Sequence, residues 1–135
     1  MSVRRVYMDG IFDLFHVGHL NAIKQMKDYG TYTIIGVVSD VDANSYKRKP
    51  VISEEHRVEM IKQCKYVDEV IFPCPMVMTP DFLESNHIDL VVHAFKDEAD
   101  YQKQHKFFKD VNLCIVPYST LESTTDIIER VKKCN

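Results

Sequence analysis

Thr33-Ile34-Ile35-Gly36-Val37-Val38 is a short and nearly continuous apolar run. A strand with one wet face alternates apolar and polar residues, so a run without alternation reads as a strand covered on both sides. Such strands belong to parallel sheets flanked by helices, and the rest of the chain repeats the theme. Arg5 to Met8 reads as an opening strand, and Leu20, Ile23 and Met26 recur at helical spacing over Leu20 to Asp28, with Gly30 ending the helix. Ser53 reads as the cap of a helix running to about Cys64, with Glu54 and Glu55 in its first turn. Val67 to Phe72 follows as a strand, Pro80 to Ser85 as a short helix behind Thr79, and Ile88 to Val92 as a fourth strand. A polar stretch through Lys109 leaves room for another helix before the fifth strand, Leu113 to Val116. Ser123 to Lys133 closes the chain as a helix with Ile127, Ile128 and Val131 on its inner side. Strands alternating with helices at this spacing predict a Rossmann-like, doubly wound five-stranded parallel sheet with helices on both faces. With 135 residues and no internal repeat, low-complexity segment or linker, a single domain spanning 1–135 is expected.

Right-handed crossovers gather the loops after the strands on one edge of such a sheet, where ligands bind. Asp9-Gly10-Ile11-Phe12-Asp13-Leu14-Phe15-His16-Val17-Gly18-His19 falls there, where the first strand hands over to a helix. Residues three apart share a helix face, and the unpaired N–H groups and positive dipole end of a helix start favour a bound phosphate. Two imidazoles at such a place can donate hydrogen bonds to phosphate oxygens as negative charge builds on them. A protein-held metal is not expected, because no further ligand stands at suitable spacing beside the two histidines. The same edge receives Lys47-Arg48-Lys49 after the second strand, His93 after the fourth, and Ser123-Thr124-Thr125 after the fifth. Capping explains one of those three hydroxyls, which leaves the others for an anion.

A hydrophobic content of 45% with 27% charged residues is that of a globular chain, and a formal charge of −3 lacks the basic excess of a nucleic-acid binder. Cys64, Cys74, Cys114 and Cys134 form no C-x-x-C pair, which points to reduced thiols and a cytoplasmic setting. Neither a cleavable leader nor an apolar run of ~18 residues is present.

From about Arg5 to Val131 the chain resembles the cytidylyltransferases of the H-x-G-H nucleotidyltransferase superfamily, above all the choline-phosphate and ethanolamine-phosphate members. Besides Asp9 through His19, the likeness rests on Cys64-Lys65-Tyr66-Val67-Asp68-Glu69-Val70 and Thr79-Pro80-Asp81-Phe82-Leu83. Lys47 matches the lysine of the family's F-K-G loop, Arg57 the arginine of its E-E-R segment, and Ser123 to Ile128 the later half of R-T-E-G-I-S-T-S-D-I-I. The resemblance implies transfer of a cytidylyl group from CTP, accompanied by Mg²⁺, to a small alcohol phosphate. Choline phosphate comes first, then ethanolamine phosphate, with glycerol phosphate a distant third; a nucleotide-binding homologue with little catalysis is the rival reading. It further implies catalytic roles for His16, His19 and Lys47. Gly10, Ile11 and Phe12 would present backbone donors to the nucleotide, Arg57 and His93 would help hold it, and Ser123, Thr124 and Thr125 would take the triphosphate. A homodimer is implied too, with the H-x-G-H turn close to its interface. Neither an amphipathic lipid-sensing extension nor a membrane-binding segment is expected in this chain.

Three departures from the family pattern bear on the site. Tyr118-Ser119-Thr120-Leu121-Glu122 stands where R-T-E-G-I is usual, which replaces a phosphate-binding arginine by Tyr118 and sets a carboxylate, Glu122, before Ser123. Ala94-Phe95-Lys96 takes the place of the acidic pair after the fourth strand, with Asp97 displaced along the loop. Met76 occupies the position of a tryptophan found in choline members, in a chain that has no tryptophan. A quaternary ammonium is best held by aromatic faces, which leaves Phe95, Tyr101 and Tyr118 as candidates to rebuild a cage.

Overall fold

In the computed structural model, which describes residues 3–134, five strands form one sheet in the order β3-β2-β1-β4-β5. The strands are β1 (Arg5–Gly10), β2 (Tyr32–Val37), β3 (Glu69–Ile71), β4 (Leu90–His93) and β5 (Leu113–Ile115). All four pairings are parallel, with Tyr7 opposite Ile34 on one side of β1 and opposite Val91 on the other. The chain winds outward from β1 through β2 to β3, then returns to the far side of β1 for β4 and β5. That reversal puts a crevice between the C-terminal ends of β1 and β4.

Period-two alternation along the central strands explains why both faces are covered. Val6, Met8, Ile35, Val37 and Val92 point to one side, where they meet Ile23 of α1 (Val17–Gln25) and Val58 and Ile61 of α3 (Glu54–Lys62). Tyr7, Ile34 and Val91 point to the other, against Met78, Phe107, Phe108 and the half-buried Phe82 and Leu83 of α4 (Pro80–Ser85). Ile23, Ile34, Ile35 and Ile61 are fully buried, and each such side chain contributes about 1.5–3 kcal/mol through its removal from water.

The helices depart from the sequence reading in instructive places. Helix α1 starts at Val17, earlier than expected, and gives way to a 3-10 turn at Met26–Asp28. The sequence shows no apolar stripe after β2, yet Asp40–Tyr46 is a helix, α2, because Ser39 caps it by accepting the Asp42 N–H at 3.2 Å. Ser53 stands at the start of α3 but makes no side-chain cap bond. Asp40 and Glu54 cap each other's helix instead, with the Asp40 N–H on Glu54 Oε1 at 2.8 Å and the Glu54 N–H on Asp40 Oδ2 at 3.3 Å. Thr79 does cap α4 as expected, with Pro80 in the first turn. The polar stretch holds α5 (Glu98–Gln104), capped by Asp97, and a 3-10 turn over His105–Phe108. The last helix, α6 (Thr124–Lys132), buries no residue: Ile127 and Ile128 are half-buried, and Val131 is 65% exposed rather than facing inward. The four cysteines are free thiols.

Candidate active site

A cavity of about 690 Å³ opens at the β1–β4 crevice. Its floor is the turn after β1, and the backbone there is forced: Phe12 has φ 56° and Leu14 φ 53°, the left-handed region that residues with side chains rarely occupy. Asp13, almost fully buried, holds the turn by accepting the Val51 N–H at 2.7 Å and the Ile52 N–H at 2.9 Å. A Cβ on Gly10 would stand 2.9 Å from the Phe12 ring, and one on Gly18 would stand 2.6 Å from the Glu122 carbonyl oxygen. Only glycine lets the first turn of α1 approach the chain entering α6 so closely.

His16 and His19 form a capping box. The His16 Nδ1 accepts the Gly18 N–H at 3.0 Å, and the His19 Nδ1 accepts the His16 N–H at 3.2 Å. An Nδ1 that accepts leaves the proton on Nε2, so both rings are fixed as the tautomer that presents Nε2–H. His16 Nε2 lies 3.2 Å from the Thr124 hydroxyl, which donates to the Asp13 carbonyl at 3.0 Å. The two rings stack with centroids 3.8 Å apart, Phe15 stacks beyond His19, and the Phe12 edge closes the set. Burial first, then the neighbouring His16 and Lys47, push His19 down to about 3; burial also lowers His16, against the pull of Glu122. Both are therefore neutral donors near pH 7.

The structure brings most of the expected residues to this cavity. Gly10, Ile11, Phe12, His16, His19, Lys47, His93, Ser123, Thr124 and Thr125 all line it. Lys47, at the C-terminal end of α2, is exposed by area, yet protein crowds its ammonium enough that desolvation lowers its pKa; Arg48, Lys103 and Lys96 lower it further and Asp100 opposes them. Arg57 does not belong to the lining. It is 1% exposed, and its guanidinium donates to the carbonyls of Ile52, Ile11 and Val38 and pairs with Asp40 at 2.7 Å. The nucleotide contact expected of Arg57 is therefore corrected to a brace: its donors are engaged inside the protein, where they tie α3 to the β1 turn and the end of β2. Among the three cations of the basic loop, Lys47 and Arg48 reach the cavity and Lys49 does not.

Glu122 does not oppose an anion at the start of α6. It pairs with Arg130 at 2.6 Å and accepts the Ser123 N–H at 2.9 Å. Ser123 in turn caps α6 through the Asp126 N–H at 3.1 Å. Tyr118 lines the cavity, whereas Phe95 and Tyr101 do not.

Several residues at the site carried no assignment from sequence. Asp9, at the end of β1, is pushed up to about 7 by burial, and its Oδ1 lies 3.8 Å from His93 Nδ1. That nitrogen is buried without a hydrogen-bond partner, and burial drives His93 down to about 4. Lys96, Asp97, Asp100, Lys103 and Gln104 add a charged wall from α5. A hint of this wall was available in the caps: Asp97 accepts the Asp100 N–H at 2.8 Å, an N-cap at the usual spacing.

A parallel sheet with a charged crevice at its reversal point and a histidine-capped helix start defines an α/β protein with its candidate site at the sheet edge. The comparisons sharpen the class. The model of the cytidylyltransferase-like family matches residues 7–130, so the chain belongs to that family. It is 40% identical over 136 residues to choline-phosphate cytidylyltransferase A of Mus musculus, a match spanning 94% of this chain and 36% of that protein. It is 44% identical over 91 residues to the ethanolamine-phosphate cytidylyltransferase of Dictyostelium discoideum, covering 66% of this chain and 25% of that protein. The chain thus spans about a third or less of these relatives. A solved structure, the lipopolysaccharide core biosynthesis protein of Thermoplasma volcanium GSS1, superposes with TM-score 0.70 at 22% identity over 87% of this chain and 99% of that one, which shows the shared fold.

Proposed function

We propose that this protein transfers a cytidylyl group from CTP to the phosphate of a small amino alcohol, choline phosphate or ethanolamine phosphate, giving a CDP-alcohol and pyrophosphate. The observation that carries the reading is the pair of neutral imidazoles whose Nδ1 atoms are tied down, so that both present Nε2–H beside Lys47 in one cavity. An oxygen of the alcohol phosphate attacks the α-phosphorus, forming the new P–O bond. The bond from that phosphorus to the bridging oxygen breaks, and its electron pair leaves with pyrophosphate. Charge accumulates on the non-bridging oxygens in between, which preorganised Nε2–H donors stabilise without having to reorient. Lys47 offers a point charge between donor and acceptor phosphates. Mg²⁺ enters with the triphosphate. Held mainly by phosphate oxygens and water, it would neutralise the leaving group.

The choice between ethanolamine phosphate and the choline phosphate expected from sequence turns on what meets the ammonium. Asp9 lines the cavity with its Oδ1 3.8 Å from the buried His93 Nδ1, and its carboxyl group suits an ammonium of either kind. Phe107 and Phe108 are buried against Tyr46 and His93, whereas Tyr118, 40% exposed, offers an open ring in the lining for a quaternary cation. The reaction is placed in the cytoplasm, in keeping with four free thiols; no helix among the described residues is long and apolar enough to cross a membrane. A homodimer with the H-x-G-H turn near its interface completes the reading, and Val17 beside His16 is 50% exposed.

Incubation with CTP, Mg²⁺ and each alcohol phosphate in turn, with CDP-alcohol and pyrophosphate quantified, tests the proposal. Turnover with either amino-alcohol phosphate is expected. CTP binding without product from any acceptor would overturn it in favour of a nucleotide-binding homologue. Light scattering at micromolar concentration tests the dimer, and a monomer mass would refute it.

A further inference from the structure

We infer that Arg48 binds the terminal phosphates of the nucleotide, and the pyrophosphate released from them, by bridging the loop between α2 and α3 to the start of α6. This rests on the cytidylyl-transfer reading. Arg48 lines the cavity, and its Nη1 lies 3.3 Å from the Thr125 hydroxyl across the crevice. Of the three hydroxyls at the start of α6, Ser123 accepts the Asp126 N–H and Thr124 is held by Asp13 and His16. Thr125 is the one whose partner is a cation.

Arg5, Arg57 and Arg130 each pair with a carboxylate, at 3.2, 2.7 and 2.6 Å respectively. Arg48 makes no ion pair among the described residues, although it is close enough to Lys47 to depress that lysine's pKa. Two cations side by side in a crevice repel, and a polyanion between them relieves the repulsion. Lys96 and Lys103 line the same cavity on the far side, where Asp97 and Asp100 accompany them. Tyr118, also in the lining, adds no charge, and a guanidinium offers a bidentate fork that a lysine lacks.

Position along the nucleotide follows from the contacts. His16 touches Thr124, and Arg48 touches Thr125 one residue further into α6. A triphosphate whose α-phosphate meets the histidines therefore places its later phosphates toward Arg48.

The test is titration calorimetry of CTP, inorganic pyrophosphate and CMP on the wild-type chain, Arg48→Gln and Arg48→Lys. Arg48 is an exposed side chain, and thermal melting verifies that the variants fold. Arg48→Gln should weaken CTP and pyrophosphate roughly tenfold or more and CMP by less than about twofold, with Arg48→Lys recovering part of the loss. Unchanged CTP affinity would overturn the inference by leaving the guanidinium in solvent. Equal losses for CMP and CTP would also overturn it, since the contact would then lie at the nucleoside end. A wild-type chain that binds neither CTP nor pyrophosphate would remove the cytidylyl-transfer reading itself, and this inference with it.

Discussion

The two walls of the crevice are built differently. The turn from Asp9 to His19 is fixed from beneath: Asp13 accepts two backbone N–H groups of the loop between α2 and α3, Arg57 donates to the Ile11 carbonyl, and both histidine rings accept backbone N–H groups of the turn itself. The opposite wall, from Tyr118 through α6, buries no helical residue and is held by contacts at its start: Thr124 on Asp13 and His16, Thr125 on Arg48. Groups that stabilise a fleeting charge gain from rigidity, because reorientation would cost part of the benefit. Groups that grip a leaving pyrophosphate must also let it go, and a lightly anchored helix suits that task.

The firmest test of the rigid wall is its brace. Arg57→Ala leaves the carbonyls of Ile11, Val38 and Ile52 without their donor and Asp40 without its cation. Breaking a buried pair this way costs roughly 3–5 kcal/mol, and the partly exposed Asp40 places the expectation near the lower figure. Urea melts of the two proteins measure it. A loss under about 1 kcal/mol would mean that the turn is held without Arg57, and the contrast between the walls would weaken.

Arg57 also marks where the sequence stops being legible. The family resemblance assigns Arg57 to the nucleotide, and nothing in its sequence neighbours says that the guanidinium folds inward. The Asp9–His19 wall could be read almost whole because its parts are contiguous, so one strand-to-helix turn fixes their relation. The parallel sheet and its two-sided core were readable too, from unbroken apolar runs such as Ile34 to Val38, whereas the strand order came only with the structure. Helix α2 escaped because a seven-residue polar helix has no apolar stripe to announce it. The pairing of Asp9 with His93, and of Arg48 with Thr125, joins distant segments, and only the topology brings them together.

Next in size is the effect of the histidines on rate. His16→Ala and His19→Ala should each lower turnover by on the order of a hundredfold or more, with a smaller change in CTP affinity, as when one preorganised donor is removed. Steady-state kinetics beside CTP titration separates the two quantities. Equal losses in rate and affinity would reassign the pair to ground-state binding. The tautomers can be checked directly: His19 is held down to about 3, below its unfolded value near 6.5. Its neutral form is thus favoured by folding, so stability from this group is present above pH 6.5 and declines as pH falls toward 3. Nitrogen NMR at pH 6 should show His19 neutral with its proton on Nε2, and a charged imidazolium there would break the capping-box account.

On the lighter wall, Tyr118→Arg should sharpen the contrast by adding the charge that this side lacks. If the new guanidinium meets the triphosphate, CTP binding tightens by roughly 1.5–3 kcal/mol, the worth of a hydrogen bond to a charged group. Calorimetry on this variant, alone and combined with Arg48→Gln, reads the gain. A larger gain in the double variant than in the single one would show that Arg48 already does part of this task. No gain in either background would mean that Tyr118 does not face the nucleotide, and the placement of Ser123 to Thr125 on the triphosphate would lose its support.

The smallest effect expected is the most telling about α6. Val131 is 65% exposed and Leu121, just before the helix, 63% exposed. Val131→Ser removes a side chain that already meets water, so folding stability should shift by no more than about 0.5 kcal/mol. Nucleotide affinity should not move either, because the anchoring contacts lie at the other end of the helix, on Thr124 and Thr125. Thermal melting, CTP titration and light scattering on the variant address the three quantities together. A destabilisation above about 1.5 kcal/mol accompanied by a fall in mass would mean that a second chain covers this face in solution. The α6 wall would then be as firmly backed as the histidine turn, by a neighbour instead of a core, and the difference between the two walls would vanish on assembly.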